Sequence, residues 1–138
     1  MFRLSPVRVE QWGVVVDIKA YIGEATEYDK KEALEDRRPK SWLKSVSAFA
    51  NGKGGVLIFG VANDGALKGL SDVKTASEKI SEAIKSKMDP LPGIDLQIRR
   101  EDGKEFILLH VSAGAETRYY YIGDGGRIAY IPVGNESV

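Results

Sequence analysis

The spacing of apolar residues divides the chain into two helices and a set of strands. Trp42, Leu43, Val46, Phe49 and Ala50 recur at intervals of three and four, which places them on one helix face. Pro39 opens that helix, because the N–H it lacks has no intrahelical partner in a first turn, and Asn51-Gly52 stops it. After Gly54-Gly55 comes an unbroken apolar run, 56–61, which suits a strand buried on both faces. Asn63-Asp64-Gly65 reads as a turn. A second helix is predicted over about 74–88, with Ala76, Ile80, Ala83, Ile84 and Met88 as its apolar stripe and Pro90 and Pro92 beyond its end. The segment 94–98 alternates like a half-buried strand, Asp102-Gly103 turns the chain, and 104–111 returns. Tyr119-Tyr120-Tyr121 and Ile128-Ala129-Tyr130-Ile131 flank Gly123-Asp124-Gly125-Gly126, a second hairpin. Nearer the N-terminus, 14–19 is β-branched and reads as a strand, and 24–32 reads as a short strand or irregular surface segment. The sum is an α+β domain: a mixed, mostly antiparallel central sheet with two main helices.

Composition narrows the chemistry. The 138 residues (15.1 kDa) fit one domain spanning 1–138, large enough to hold a core without covalent staples. The absence of cysteine excludes disulfides, thiolate zinc sites and a Cys nucleophile, and the single histidine, His110, excludes a His-rich metal site. His110 lies between Leu109 and Val111 and reads as a sheet histidine. Twenty basic residues balance twenty acidic ones, which argues against binding to nucleic acid by bulk charge alone and does not exclude a local basic face. No apolar run approaches the ~20 residues of a membrane span, and the N-terminus lacks a secretory signal. A cytoplasmic protein with no membrane partner is expected.

Four groups of residues could carry chemistry. Side chains two apart on a strand share a face, so Glu27, Asp29 and Lys31 would present two carboxylates and an ammonium together. Such a set could hold Mg²⁺ or Mn²⁺ for phosphodiester cleavage, with the lysine near the phosphate; the same spacing also suits a solvated strand of alternating charge. Glu24 joins it only if the backbone turns. The glycine-rich stretch Asn51-Gly52-Lys53-Gly54-Gly55 could let backbone amides approach a phosphate, but its order is helix–loop–strand, unlike a P-loop, and a helix C-terminus disfavours anions. A glycine C-cap with a tight entry into the strand is the favoured reading of the residues alone. Asp64 leaves the buried strand and is either a catalytic acid or a turn residue. Tyr119, Tyr120 and Tyr121, with Arg118, Arg127 and Tyr130, could stack bases and contact phosphates, although alternation turns at least one of the tyrosines into the core. Lys40, Lys44 and Lys53 could form a basic face with Arg37 and Arg38, with the acidic Glu35 and Asp36 beside them.

Taken together, the motifs resemble one family over about 23–137. Gly23-Glu24, Glu27-Tyr28-Asp29-Lys30-Lys31, Ala48-Phe49-Ala50-Asn51-Gly52-Lys53-Gly54-Gly55, Gly60-Val61-Ala62-Asn63-Asp64-Gly65 and Pro132-Val133-Gly134-Asn135-Glu136-Ser137 are similar, in that order, to the Schlafen AlbA-type domain. The resemblance implies an α+β fold and a DNA-binding role in transcriptional regulators and RecG-related helicase-like proteins. Older family labels add ATP binding, for which this chain has no P-loop. For the binding role the expected contacts are Lys31, Lys44, Asn51, Lys53, Arg118 and Arg127, on DNA or RNA.

Vertebrate Schlafens carry the domain in duplicate and cut structured RNA with a Glu-x4-Glu-x-Lys stretch and a further Asp. Glu24, Asp29, Lys31 and Asp64 stand at those positions, so the resemblance implies a metal-dependent nuclease as the alternative, with Glu24, Asp29 and Asp64 as ligands of Mg²⁺ or Mn²⁺ and Lys31 beside the phosphate. Asp29 replaces the longer Glu, and Pro132 stands where the family has Arg before Val-Gly-Asn. With one copy of the domain, the chain is expected to form a homodimer or to bind a short site. It ends where the domain motif ends, so a domain excised from a longer regulator is expected.

Overall fold

The computed structural model describes residues 28–35, 37–115 and 118–132. The strand expected at 14–19 lies outside them, as do Glu24 and Glu27. Strand β1 (Tyr28–Lys31) leads into helix α1 (Lys40–Asn51), which is followed by β2 (Gly55–Phe59), helix α2 (Val73–Lys87), β3 (Met88–Asp89), β4 (Ile94–Glu101), β5 (Lys104–Val111), β6 (Tyr120–Gly123) and β7 (Gly126–Ala129). The main sheet has the order β1-β2-β5-β4. Among the described residues its one parallel pair is β1–β2, with Asp29 opposite Leu57 and Lys31 opposite Phe59; β2–β5 and β4–β5 are antiparallel.

Both helices pack on one face of this sheet. Leu57 and Phe59 of β2 and Ile107, Leu109 and Val111 of β5 meet the α1 stripe (Trp42, Leu43, Val46, Phe49, Ala50) and Ala76, Ile80 and Ile84 of α2. The Trp42 and Phe59 rings meet edge to face with centroids 5.7 Å apart, the arrangement their quadrupoles favour. Val56, Ile58, Phe106 and Leu108 fill the opposite face with Val61, so β2 is buried on both sides as its unbroken apolar run predicts. The run itself extends two residues further than the strand. Gly60 has φ +111°, and a Cβ there would lie 2.7 Å from the Phe106 ring, so the chain turns at Gly60 and Val61 only bridges to Leu67.

The two hairpins close as their Asp-Gly pairs predict. Asp102 and Gly103 (φ 55° and 75°) and Asp124 and Gly125 (φ 52° and 76°) have the paired positive φ values of two-residue turns whose twist matches the strands. Met88, expected at the end of α2, is instead extended and opens β3. That short strand pairs with β6 through Met88–Tyr121 and Asp89–Tyr120, so the second hairpin belongs to a separate small sheet, β3-β6-β7.

His110 lies between Val56 of β2 and Asp95 of β4. Burial holds its pKa below 6.5; the Asp95 carboxylate opposes the shift and Arg99 reinforces it. The unfolded chain therefore takes up a proton at higher pH than the folded chain does. Stability contributed by neutral His110 is complete above pH ~6.5 and is lost as the pH falls through the window between that value and the lower folded one. Urea midpoints at pH 7.5 and 5.5 should drop more for the native chain than for His110→Gln; equal drops would assign the acid sensitivity elsewhere.

Candidate nucleic-acid interface

The register of β1 turns Asp29 and Lys31 to the helix-covered face and Lys30 to the other. Asp29 Oδ2 accepts a hydrogen bond from Ser45 Oγ of α1 at 2.6 Å and lies 3.7 Å from Lys31 Nζ, while Oδ1 accepts from the Lys30 N–H at 2.9 Å. Lys30 Nζ donates to the Asn63 carbonyl at 3.0 Å. The spacing thus brings Asp29 and Lys31 together as expected. Asp64 is exposed, and its Oδ1 accepts from the Ala66 N–H at 2.9 Å, which closes a local turn. Among the described residues no three His, Cys, Asp or Glu side chains gather where they could hold a metal. Asp29 and Asp64 on their own fall short of such a site; the expected set is complete only with Glu24.

The glycine loop after α1 acts as a cap. The N–H groups of Gly52 and Gly54 both donate to the Phe49 carbonyl, at 3.1 and 2.9 Å, which answers an acceptor that the helix end leaves open. Gly54 (φ +84°) has no room for a Cβ, which would meet the Val111 carbonyl oxygen at 2.7 Å. These two amides are therefore engaged within the fold and do not face a phosphate. Lys53, between them, is exposed.

Asn51, expected among the nucleic-acid contacts, turns inward. Its Nδ2 donates to the carbonyls of Tyr119 and Tyr130, both at 2.9 Å, and its Oδ1 accepts from the Tyr119 N–H at 2.7 Å. Ser47, one helical turn earlier and fully buried, donates to the Tyr119 carbonyl at 2.8 Å and accepts from the Tyr130 N–H at 3.0 Å. The two side chains meet all four backbone groups of Tyr119 and Tyr130, just past the last β6–β7 pair, Tyr120–Ala129. Side chains at i and i+4 on α1 thereby take the place of a neighbouring strand and dock the small sheet onto the helix.

Of the three tyrosines, Tyr119 and Tyr121 are buried and Tyr120 is half-buried. The Arg127 guanidinium lies 4.6 Å from the Tyr120 ring centroid and 3.2 Å from Asp89 Oδ2, so it is already stacked and paired. A platform for several bases does not form there. Arg118 is exposed.

The basic residues converge elsewhere. Arg37, Arg38, Lys40 and Lys44 line an open groove of about 620 Å³ with Pro39, Ser41, Tyr121, Tyr130 and Asp124. Among the described residues four cations thus face one carboxylate, and that carboxylate reaches Lys40 Nζ at 3.6 Å. Glu35, which the sequence sets beside this basic run, lines a different opening with Lys30, Lys31 and Asn63. The i,i+4 spacing of Lys40 and Lys44 behind Arg37-Arg38 is the sequence signal for the groove. Its far wall, from the second hairpin, comes from residues some eighty positions later.

Comparison with known proteins agrees with this architecture. The family model described as Schlafen, AlbA_2 matches residues 24–138. Among solved structures, the solution structure of the N-terminal domain of a RecG-related protein from Nitrosomonas europaea superposes with a TM-score of 0.59 at 21% identity, covering 83% of this chain and 85% of that one. The DIP2311 protein from Corynebacterium diphtheriae gives a TM-score of 0.49 at 17% identity, over 75% of this chain and 24% of that one. No curated protein matches.

Proposed function

The chain belongs to the Schlafen AlbA_2 family, and from that premise we propose that it binds the phosphate backbone of nucleic acid through the groove between the start of α1 and the second hairpin. Family membership supports a nucleic-acid-related role. The observation that carries the finer reading is the convergence of Arg37, Arg38, Lys40 and Lys44 on one open groove that holds, among the described residues, a single carboxylate. A chain of zero net charge has no long-range pull on a polyanion, so affinity must come from such a local surplus. The described lining of the groove is dominated by cationic side chains, which favours backbone contact over base readout. Within a transcriptional regulator or RecG-related helicase-like protein, the contact would be to DNA.

Fluorescence anisotropy with a labelled duplex, titrated from about 50 to 200 mM salt, tests this. Four phosphate contacts give a slope of log K against log salt near −3.6, and Lys44→Ala should make it shallower by about one unit. A salt-independent signal, or an unchanged slope in the variant, would count against the groove.

A second reading, a Mg²⁺- or Mn²⁺-dependent nuclease, is favoured by one observation: Asp29 and Lys31 share a face and lie 3.7 Å apart. It places Glu24, Asp29 and Asp64 on the metal and Lys31 at the phosphate. Cleavage of structured RNA that needs Mn²⁺ and is lost in Asp29→Ala would support it; equal cleavage by the variant would remove it.

A further inference from the structure

Strand β4 ends the main sheet, and among the described residues nothing pairs with its outer edge. It is eight residues long, twice the length of β1 at the other end. An edge of that length with no described strand beside it is a template for another strand. Its sequence, Ile94-Asp95-Leu96-Gln97-Ile98-Arg99-Arg100-Glu101, decides which strand fits.

Asp95, Gln97 and Arg99 share the face away from the helices, and they form a polar row: Gln97 Nε2 donates to Asp95 Oδ2 and Arg99 donates to Gln97 Oε1, both at 3.0 Å. Leu96 and Ile98 lie on the helix face, opposite Leu109 and Ile107. Leu96 packs against the core, but Ile98 is 48% exposed. The row runs from negative through neutral to positive. Laid antiparallel against a copy of itself, it meets its own inverse.

We propose that β4 pairs antiparallel with β4 of a second copy of this chain, about a two-fold axis at Gln97, to make a continuous eight-stranded sheet. A two-fold axis perpendicular to the sheet keeps every side chain on its own face, so only residues of like parity can stand opposite each other. Centred on Gln97, Asp95 stands opposite the second copy's Arg99 twice, and Leu96 opposite Ile98 twice, which covers the exposed isoleucine. Centred on Ile98, Asp95 would face Glu101, setting like charges opposite one another. Centred on Leu96, Asp95 would face Gln97 and no charges would pair.

The hydrogen bonding agrees. A two-residue hairpin closes on a hydrogen-bonded pair, here Glu101–Lys104, so odd-numbered residues of β4 turn their N–H and C=O groups to β5 and even-numbered ones turn them outward. In the Gln97-centred register the outward groups of Ile94, Leu96, Ile98 and Arg100 meet those of Arg100, Ile98, Leu96 and Ile94. Asp95 and Arg99 then occupy the closer, non-hydrogen-bonded positions, where cross-strand charges interact best. The same axis puts both helical layers, and the groove each carries, on one side of the joined sheet.

Sedimentation equilibrium on the full chain tests the register. The native chain should dimerise with concentration. Asp95→Arg and Arg99→Asp, which each set like charges opposite one another twice, should each weaken association about tenfold or more. The double variant Asp95→Arg/Arg99→Asp should restore it. The chain has no cysteine, so Gln97→Cys should oxidise to a disulfide-linked dimer while Arg100→Cys does not. A native chain that stays monomeric, a dimer indifferent to both single variants, or a double variant no better than either would overturn the proposal, whatever the chain binds in its groove.

Discussion

Replacing Asn51 with alanine is expected to cost about 3 kcal/mol of folding free energy, the largest stability loss of any polar substitution described above. The side chain is only half-buried, so its value lies in its partners. Alanine leaves the Tyr119 N–H and the Tyr130 carbonyl without their side-chain partners, whereas the Tyr119 carbonyl keeps Ser47. Each stranded group costs about 1–3 kcal/mol when water cannot replace the partner. Urea unfolding followed by circular dichroism should show the loss as a lower midpoint with an unchanged slope. Asn51→Asp should do no better, because an oxygen would then face the two carbonyls that Nδ2 now serves. Ser47→Ala, which strands only the Tyr130 N–H, should cost less than Asn51→Ala. A loss below about 1 kcal/mol for Asn51→Ala would show that water satisfies these groups instead.

The double reversal Arg38→Glu/Lys44→Glu is expected to weaken duplex binding by about a hundredfold or more at low salt. Among the described residues the groove holds four cations and one carboxylate, a local charge of +3; the variant holds two cations and three carboxylates, or −1. Both residues are exposed, so the fold should survive the change. Reversal at Lys53, outside the groove, should cost far less, and equal losses at both places would move the interface. Asp124→Asn should act in the opposite sense. It frees Lys40 from the 3.6 Å ion pair that offsets part of the groove's charge, and binding should tighten.

What could be read from the chain and what could not divide along sequence separation. The α1 stripe Trp42, Leu43, Val46, Phe49 and Ala50 is buried residue for residue, because helical periodicity is a local property. Both Asp-Gly turns close hairpins for the same reason: the left-handed conformations they need are set within two residues. Asn51 shows the limit. At the end of a helix beside three glycines it reads as part of a ligand loop, yet its partners are backbone atoms 68 and 79 residues away. Sequence spacing holds no record of backbone acceptors, so nothing local marks the residue as a dock. The groove is half legible in the same way. Its cations are adjacent in sequence, but the hairpin wall that turns them into a cleft arrives only with the packing of the small sheet on α1. β3 was hidden because a buried Met at a helix end fits the helical stripe as well as it fits a two-residue strand.

The parallel pairing of β1 with β2 also bears on motion. The β4–β5 and β6–β7 hairpins close over two residues each, whereas β1 reaches β2 only after the chain has passed through α1. Pairing across such a separation forms late in folding, and the four-residue strand has a neighbour on one side only among the described residues. The amides of β1 should therefore exchange with solvent through local opening, while those of β5, flanked on both sides, wait for the whole domain to unfold. Asp29 and Lys31 ride on that strand. Whatever chemistry they perform would then be coupled to how often that strand is seated, a quantity that Ser45, by gripping Asp29 from α1, is placed to control.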